Sequence, residues 1–212
     1  MFPFYGRKKG IVDYYPEPKY RKIIEPFAGS ASYSLKYWYH DITLYEIDPV
    51  IYNIWVYLIH KASSKRILEL PLDYSKTNQI LKEEKDLIGF FIRSCSSRPN
   101  KNPSKHPNFN LWTSENRAIL AENVEKVKHW RIYNKECNSN FIATWFIDPP
   151  YQHGGSYYKY SNVDYKKLAE WCLSRKGQLI VCENDKADWL PFVFLKKAYQ
   201  RGHKNNEVIY LI

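Results

Sequence analysis

Asp148, Pro149, Pro150 and Tyr151 stand together where chemistry can be done. They follow the apolar run Thr144 to Ile147, so they mark the end of a buried strand. A proline has no amide hydrogen, so Pro149 and Pro150 stop the strand ladder and hold the neighbouring carbonyls in an extended arrangement. The Asp148 carboxylate beside the Pro149 carbonyl then forms a rigid edge of acceptors. Such an edge suits an exocyclic NH2 group, which has two hydrogens to donate. An aromatic amine is a weak nucleophile because its lone pair is delocalised into the ring. Accepting both hydrogens favours a pyramidal nitrogen with a localised lone pair, which is catalysis by position and electrostatics. Tyr151 adds a flat face for stacking a base. The expected catalytic set is Asp148, Pro149, Pro150 and Tyr151.

Two further acids, Glu25 and Glu46, also close apolar runs. In an open α/β sheet, ligands sit beyond the carboxyl ends of the strands. After Glu25 comes Pro26 and a turn of small residues, Ala28, Gly29 and Ser30, where a ligand can approach backbone amides at a helix start. No GxGxxG pattern is present, so a dinucleotide pyrophosphate is not specifically indicated. Glu46 is placed to accept hydrogen bonds from a ribose diol. Alone, Glu46 reads as a solvated strand-end acid; the set of three brings a binding edge level with that reading.

The elements that must position these residues alternate. Lys22 to Phe27 reads as a strand and Ser30 to Tyr39 as a helix, capped by Ser30 or Ser32. Ile42 to Glu46 reads as a strand, and Val50 to His60 as a helix with Pro49 in its first turn. The middle breaks the pattern. Helices are expected over Asn78 to Phe91 and Thr113 to Lys128, the latter capped by Thr113 or Ser114. The loop between them, Ser94 to Asn110, is basic and proline-rich. Alternation then resumes with the strand Thr144 to Ile147, the helix Asp164 to Ser174, the strand Gln178 to Cys182, and closing strands at Phe192 to Leu195 and Val208 to Ile212. This pattern predicts a single α/β domain over 1–212 with a mostly parallel sheet, carrying a helical, basic insertion at 62–129.

Lysine and arginine number 32 against 22 acids, a formal net charge of +10. That surplus implies an anionic partner, nucleic acid before membrane, with a dispersed solubility charge as the plain alternative. No apolar stretch is long enough to cross a bilayer, and the N-terminus lacks a signal-peptide core. Cys95, Cys137, Cys172 and Cys182 have no CxxC spacing and no nearby histidine at ligand spacing, so they read as reduced thiols of a cytosolic-type protein without a metal site.

"EPFAGSAS" (Glu25 to Ser32), "YEID" (Tyr45 to Asp48) and "DPPY" (Asp148 to Tyr151), in that order, resemble the Dam-like DNA adenine-N6 methyltransferases. "FYGRKKG" (Phe4 to Gly10) resembles that family's opening Gly-Gly-Lys segment, with Lys8 on the lysine and Arg7 where glycine is usual. "NKEC" (Asn134 to Cys137) loosely resembles the segment flanking the cofactor adenine. The resemblance implies a seven-stranded Rossmann-like class I methyltransferase fold and S-adenosylmethionine as cofactor. It implies cofactor contacts from Tyr5, Lys8, Glu25, Pro26, Phe27, Ala28, Gly29, Ser30, Ala31, Ser32, Glu46, Ile47, Asp48, Glu136, Cys137 and Asp148. Duplex DNA is the implied substrate, acted on by a monomer or weak dimer in the cytoplasm of a bacterial or phage-infected cell. Its phosphates and bases are expected to meet Arg93, Arg98, Lys101, Lys105 and Arg117 of the insertion, and Tyr158 and Lys159 in a loop over the pocket. Competing readings are an RNA or protein amino-methyltransferase and a nucleic-acid-binding protein that has lost catalysis. A metal-dependent nuclease fits less well, because the acids are scattered over strand ends.

Overall fold

The computed structural model describes residues 1–94, 96–200 and 203–212; Cys95, one of the four thiols, lies outside them. Seven strands form one sheet: β1 (Lys22–Glu25), β2 (Asp41–Tyr45), β3 (Arg131–Tyr133), β4 (Ile142–Ile147), β5 (Lys176–Asn184), β6 (Val193–Gln200) and β7 (His203–Leu211). Their spatial order is β3-β2-β1-β4-β5-β7-β6. The first five are parallel, and β7 runs antiparallel between β5 and β6. This is the Rossmann-like, seven-stranded sheet that the resemblance implied, mostly parallel with helices packed around it.

Side chains alternate between the two faces with the period of two that a strand imposes. Ile23, Ile42, Leu44, Phe146, Ile180 and Cys182 point into the larger core. Ile24, Tyr45, Trp145, Ile147, Leu179 and Val181 point into the smaller one. Helix α6 (Tyr165–Leu173) covers the smaller core through Cys172, Leu168 and Trp171. The larger core is covered by α1 (Ser32–Lys36), α2 (Pro49–Val56) and the inserted helices α3 (Ser64–Glu69), α4 (Lys82–Phe91) and α5 (Ser114–Val124). Ile67, Leu87, Phe90, Leu120 and Val124 from the insertion share that core with Trp55 and Trp130, so 62–129 packs onto the sheet face as part of the same body.

Capping residues set where these helices begin. Asp48 Oδ1 accepts the Val50 amide at 2.9 Å with Pro49 in the first turn of α2, and Asp164 Oδ1 accepts the Lys167 amide at 3.1 Å at the start of α6. Thr113 caps α5 by accepting the Asn116 amide at 3.3 Å.

Several expectations need correction. The first helix does not run from Ser30 to Tyr39: Ala31 is at its N-cap in the left-handed region (φ 47°), no serine caps it, and it ends at Lys36. The second does not stay α-helical to His60, because Tyr57–Lys61 loosens into a π turn. The third begins at Lys82, after a separate 3-10 segment over Tyr74–Gln79. β3 and α3 had no expectation at all. β3 buries a single residue, Ile132, between two exposed ones, which is too little apolar pattern to read.

Candidate active site

The carboxyl ends of β1, β2, β3 and β4 open onto a cleft of about 810 Å³. Every residue expected to touch a cofactor lies on its wall: Tyr5 and Lys8 from the N-terminal segment, Glu25 to Ser32 after β1, Glu46 to Asp48 after β2, Glu136 and Cys137 after β3, and Asp148 after β4. The strand order brings them together, since β1 sits centrally between β2 and β4.

The β1–α1 turn is built for close approach. Gly29 (φ 45°) lies against Phe4, whose ring would be 3.1 Å from an added Cβ. The Gly29 amide donates to Glu46 Oε2 at 3.1 Å, and its carbonyl accepts the Trp55 indole N–H at 2.8 Å. Glu46 Oε1 accepts the Asp48 amide at 2.9 Å. The carboxylate is thus fixed from both sides and keeps further lone pairs for a ligand hydroxyl. Burial pushes its carboxyl up to about 7. Glu25 is deeper: its Oε1 accepts the Ser34 amide at 2.7 Å, and burial pushes it up to about 8.

Asp148 sits over a buried charge cluster. Lys8 Nζ lies 3.0 Å from Asp148 Oδ1 and 3.1 Å from Glu207 Oε1. Burial pushes the Asp148 carboxyl up to about 6, with Lys8 pulling it down and Glu207 pushing it up. Glu207 Oε1 also accepts the hydroxyls of Tyr15 at 2.5 Å and Tyr151 at 2.6 Å. Tyr15 and Glu207 were not among the expected residues.

The expected catalytic residues are divided by the structure. Asp148 and Pro150 are on the cleft wall, whereas Pro149 is buried and Tyr151 half-buried, and neither lines it. The Pro150 carbonyl accepts the Tyr165 hydroxyl at 2.8 Å. Tyr151, expected to present its ring to a base, is held inward: Lys8 Nζ stands 4.4 Å from its ring centroid and bonds to its hydroxyl. The cause is Glu207, which draws both the phenol and the ammonium to one oxygen.

Of the residues expected to meet nucleic acid, Arg93, Arg98, Lys101 and Lys105 are exposed around the loop after α4. Arg98 and Lys159 flank a smaller cavity of about 340 Å³ beside the cleft. Tyr158 and Lys159 line the main cleft, with the Tyr158 hydroxyl donating to the Tyr5 carbonyl at 3.0 Å. Arg117 is a correction. Its Nη1 donates to the Leu70 carbonyl at 2.6 Å and its Nε is buried, so it ties α5 to the end of α3 instead of facing outward. Among the described residues no helix is long and apolar enough to cross a membrane, and no cluster of histidine, cysteine or acids could hold a metal ion.

No family model matches the chain, and no curated protein does. Among solved structures, one described as "Putative methyltransferase yhhF from Escherichia coli" is similar at 10% identity and a TM-score of 0.40, covering 96% of this chain and 78% of its own. A likeness that loose carries no argument, and the fold assignment rests on the strand order and directions themselves.

Proposed function

We propose that the chain transfers a methyl group from S-adenosylmethionine to the N6 amino group of adenine in duplex DNA. One observation carries this reading: the acids Glu25, Glu46 and Asp148, from three separate strands, converge on a single cleft at the carboxyl edge of the sheet. The Glu46 and Asp148 carboxylates suit a cationic nucleoside, and the volume is within the roughly 300–1,000 Å³ of small-molecule sites. When bound, the cofactor would supply an electrophilic methyl group on a sulfonium, with the neutral thioether as the leaving group.

The chain's own residues do the rest. Glu46, fixed by the Gly29 and Asp48 amides, holds the ribose hydroxyls. The turn from Ala28 to Ser30 and the Lys8 segment enclose the methionine end. Asp148 accepts a hydrogen bond from the amine and orients its lone pair, and the proton that the methylated nitrogen sheds passes through this carboxylate to solvent. The base reaches it by rotating out of the duplex, with Arg98, Lys101, Lys105 and Lys159 on the phosphates.

The test is methyl transfer from labelled cofactor to unmethylated DNA, RNA and protein, with the product base identified. N6-methyladenine should appear in DNA and vanish with a folded Asp148→Ala variant. Transfer to RNA or protein alone would replace DNA as the substrate. Cofactor binding without any transfer would mark a protein that kept the fold and lost the chemistry.

A further inference from the structure

Lys8 faces two carboxylates at nearly equal distance, Asp148 at 3.0 Å and Glu207 at 3.1 Å, and is only 6% exposed. Lys8 holds Asp148 through Oδ1, so a turn of that carboxylate toward an incoming amine lengthens its ion pair with the ammonium. A buried ammonium stripped of its counter-charge is strongly disfavoured. Glu207 is the second carboxylate on that ammonium. It is 5% exposed and stands on β7, paired with Asn184 of β5 and Lys196 of β6, so its backbone is held from both sides.

We propose that Glu207 is a positioning residue: it takes over Lys8 when Asp148 turns to the acceptor amine, and it fixes the Tyr151 ring through the phenol. The proposal rests on the reading of the cleft as an amino-methyltransferase site. Lys8 then passes from one carboxylate to the other without stranding a charge. In Glu207→Gln, Asp148 is the carboxylate left within ion-pair distance of Lys8 among the described residues, and the pair closes over the acceptor edge. The phenol contact reaches 56 residues along the chain, so the ring's attitude is set from the sheet and not from its own loop.

The test is a carbon-13 NMR titration of the Asp148 carboxyl in the ligand-free chain, for wild type, Glu207→Gln and Glu207→Asp, beside kcat and KM for methyl transfer. Asp148 also feels Lys8, Glu25, Tyr15, Tyr151, Cys182, Glu183 and Tyr158, none of which is substituted in the series. The wild-type midpoint is expected at about 6. It should fall in Glu207→Gln, because a negative neighbour is gone and Lys8 commits to Asp148, and fall less in Glu207→Asp, where the charge retreats by one methylene. Over the same series kcat should drop, roughly tenfold to a hundredfold in Glu207→Gln, with little change in cofactor KM. A midpoint that stays in place, or that falls equally in both variants, overturns the proposal. If Glu207→Gln fails to fold, Glu207→Asp alone decides, and an unmoved midpoint there overturns it. A wild type that transfers no methyl group while the midpoints shift as stated refutes the methyltransferase reading and supports the coupling of Glu207 to Asp148 through Lys8.

Discussion

Glu25→Gln should make the ligand-free fold more stable above neutral pH. Glu25 is 2% exposed and holds the Ser34 amide at 2.7 Å. Burial pushes its carboxyl from 4.5 up to about 8, and Asp148 adds to the push. An unfolded chain releases this proton near 4.5, whereas the fold keeps it to about 8. The stability Glu25 contributes is therefore full below pH 4.5 and drains as pH rises through 8. The span, 8 minus 4.5, is 3.5 pH units, and at about 1.4 kcal/mol per unit that is about 5 kcal/mol in all, of which about 3 kcal/mol is lost by pH 7. Glutamine keeps an oxygen for the Ser34 amide and cannot ionise. Urea melts of both proteins at fixed ionic strength, from pH 5 to pH 8, should diverge in the variant's favour by about 3 kcal/mol. Glu46 acts with the same sign in both proteins and cancels in the difference, whereas the repulsion between Glu25 and Asp148 is part of what the difference measures. Parallel curves would refute the argument, since they would mean Glu25 is ionised in the fold. A bound cation favours the carboxylate, so affinity for a sulfonium ligand should rise with pH across the same window.

Glu46→Ala should raise the cofactor KM roughly tenfold to a hundredfold with kcat nearly kept, the value of hydrogen bonds from a ligand to a charged acceptor; an unchanged KM would remove Glu46 from the cofactor's grip. Gly6→Ala places a methyl group 2.1 Å from the Tyr158 hydroxyl at a φ of +74°. Thermal melting should show a loss of about 1 kcal/mol or more, and cofactor affinity should weaken as Tyr158 leaves the Tyr5 carbonyl; an unaltered melt would contradict that packing. Arg117→Met should cost about 1–3 kcal/mol in stability and leave the salt dependence of DNA binding alone, whereas Arg98→Ala should lower the log–log salt slope by about one. The reverse pattern would return Arg117 to the DNA face.

How much could be read in advance depended on how local the physics was. The acids at Glu25, Glu46 and Asp148 were legible because each ends an apolar run, and an α/β alternation sends such ends to one edge. The sheet's parallel half followed from the same alternation. The N-cap at Ala31 escaped because a left-handed alanine without a side-chain cap leaves no mark in the sequence, and the neighbouring serines outweigh it in any local pattern. Arg117 looked like one more basic residue in a basic stretch, and only the docking of α5 on α3 turned it inward. Glu207 carries no local mark: it sits 56 residues beyond Tyr151, on the reversed strand, and matters only once β7 lies beside β5. The attitude of Tyr151 was hidden for the same reason.

The placement of β7 has a consequence for when the protein can act. Tyr15 and Glu207 are 192 residues apart, and the contact between them spans nearly the whole chain. During synthesis the five parallel strands can emerge and pair while Lys8 still has Asp148 as its partner. The reversed strand joins afterwards, pairing with β5 and with its neighbour β6. Until β7 lies beside β5, Lys8 therefore has Asp148 without Glu207, and the Tyr15 and Tyr151 hydroxyls lack the acceptor they share.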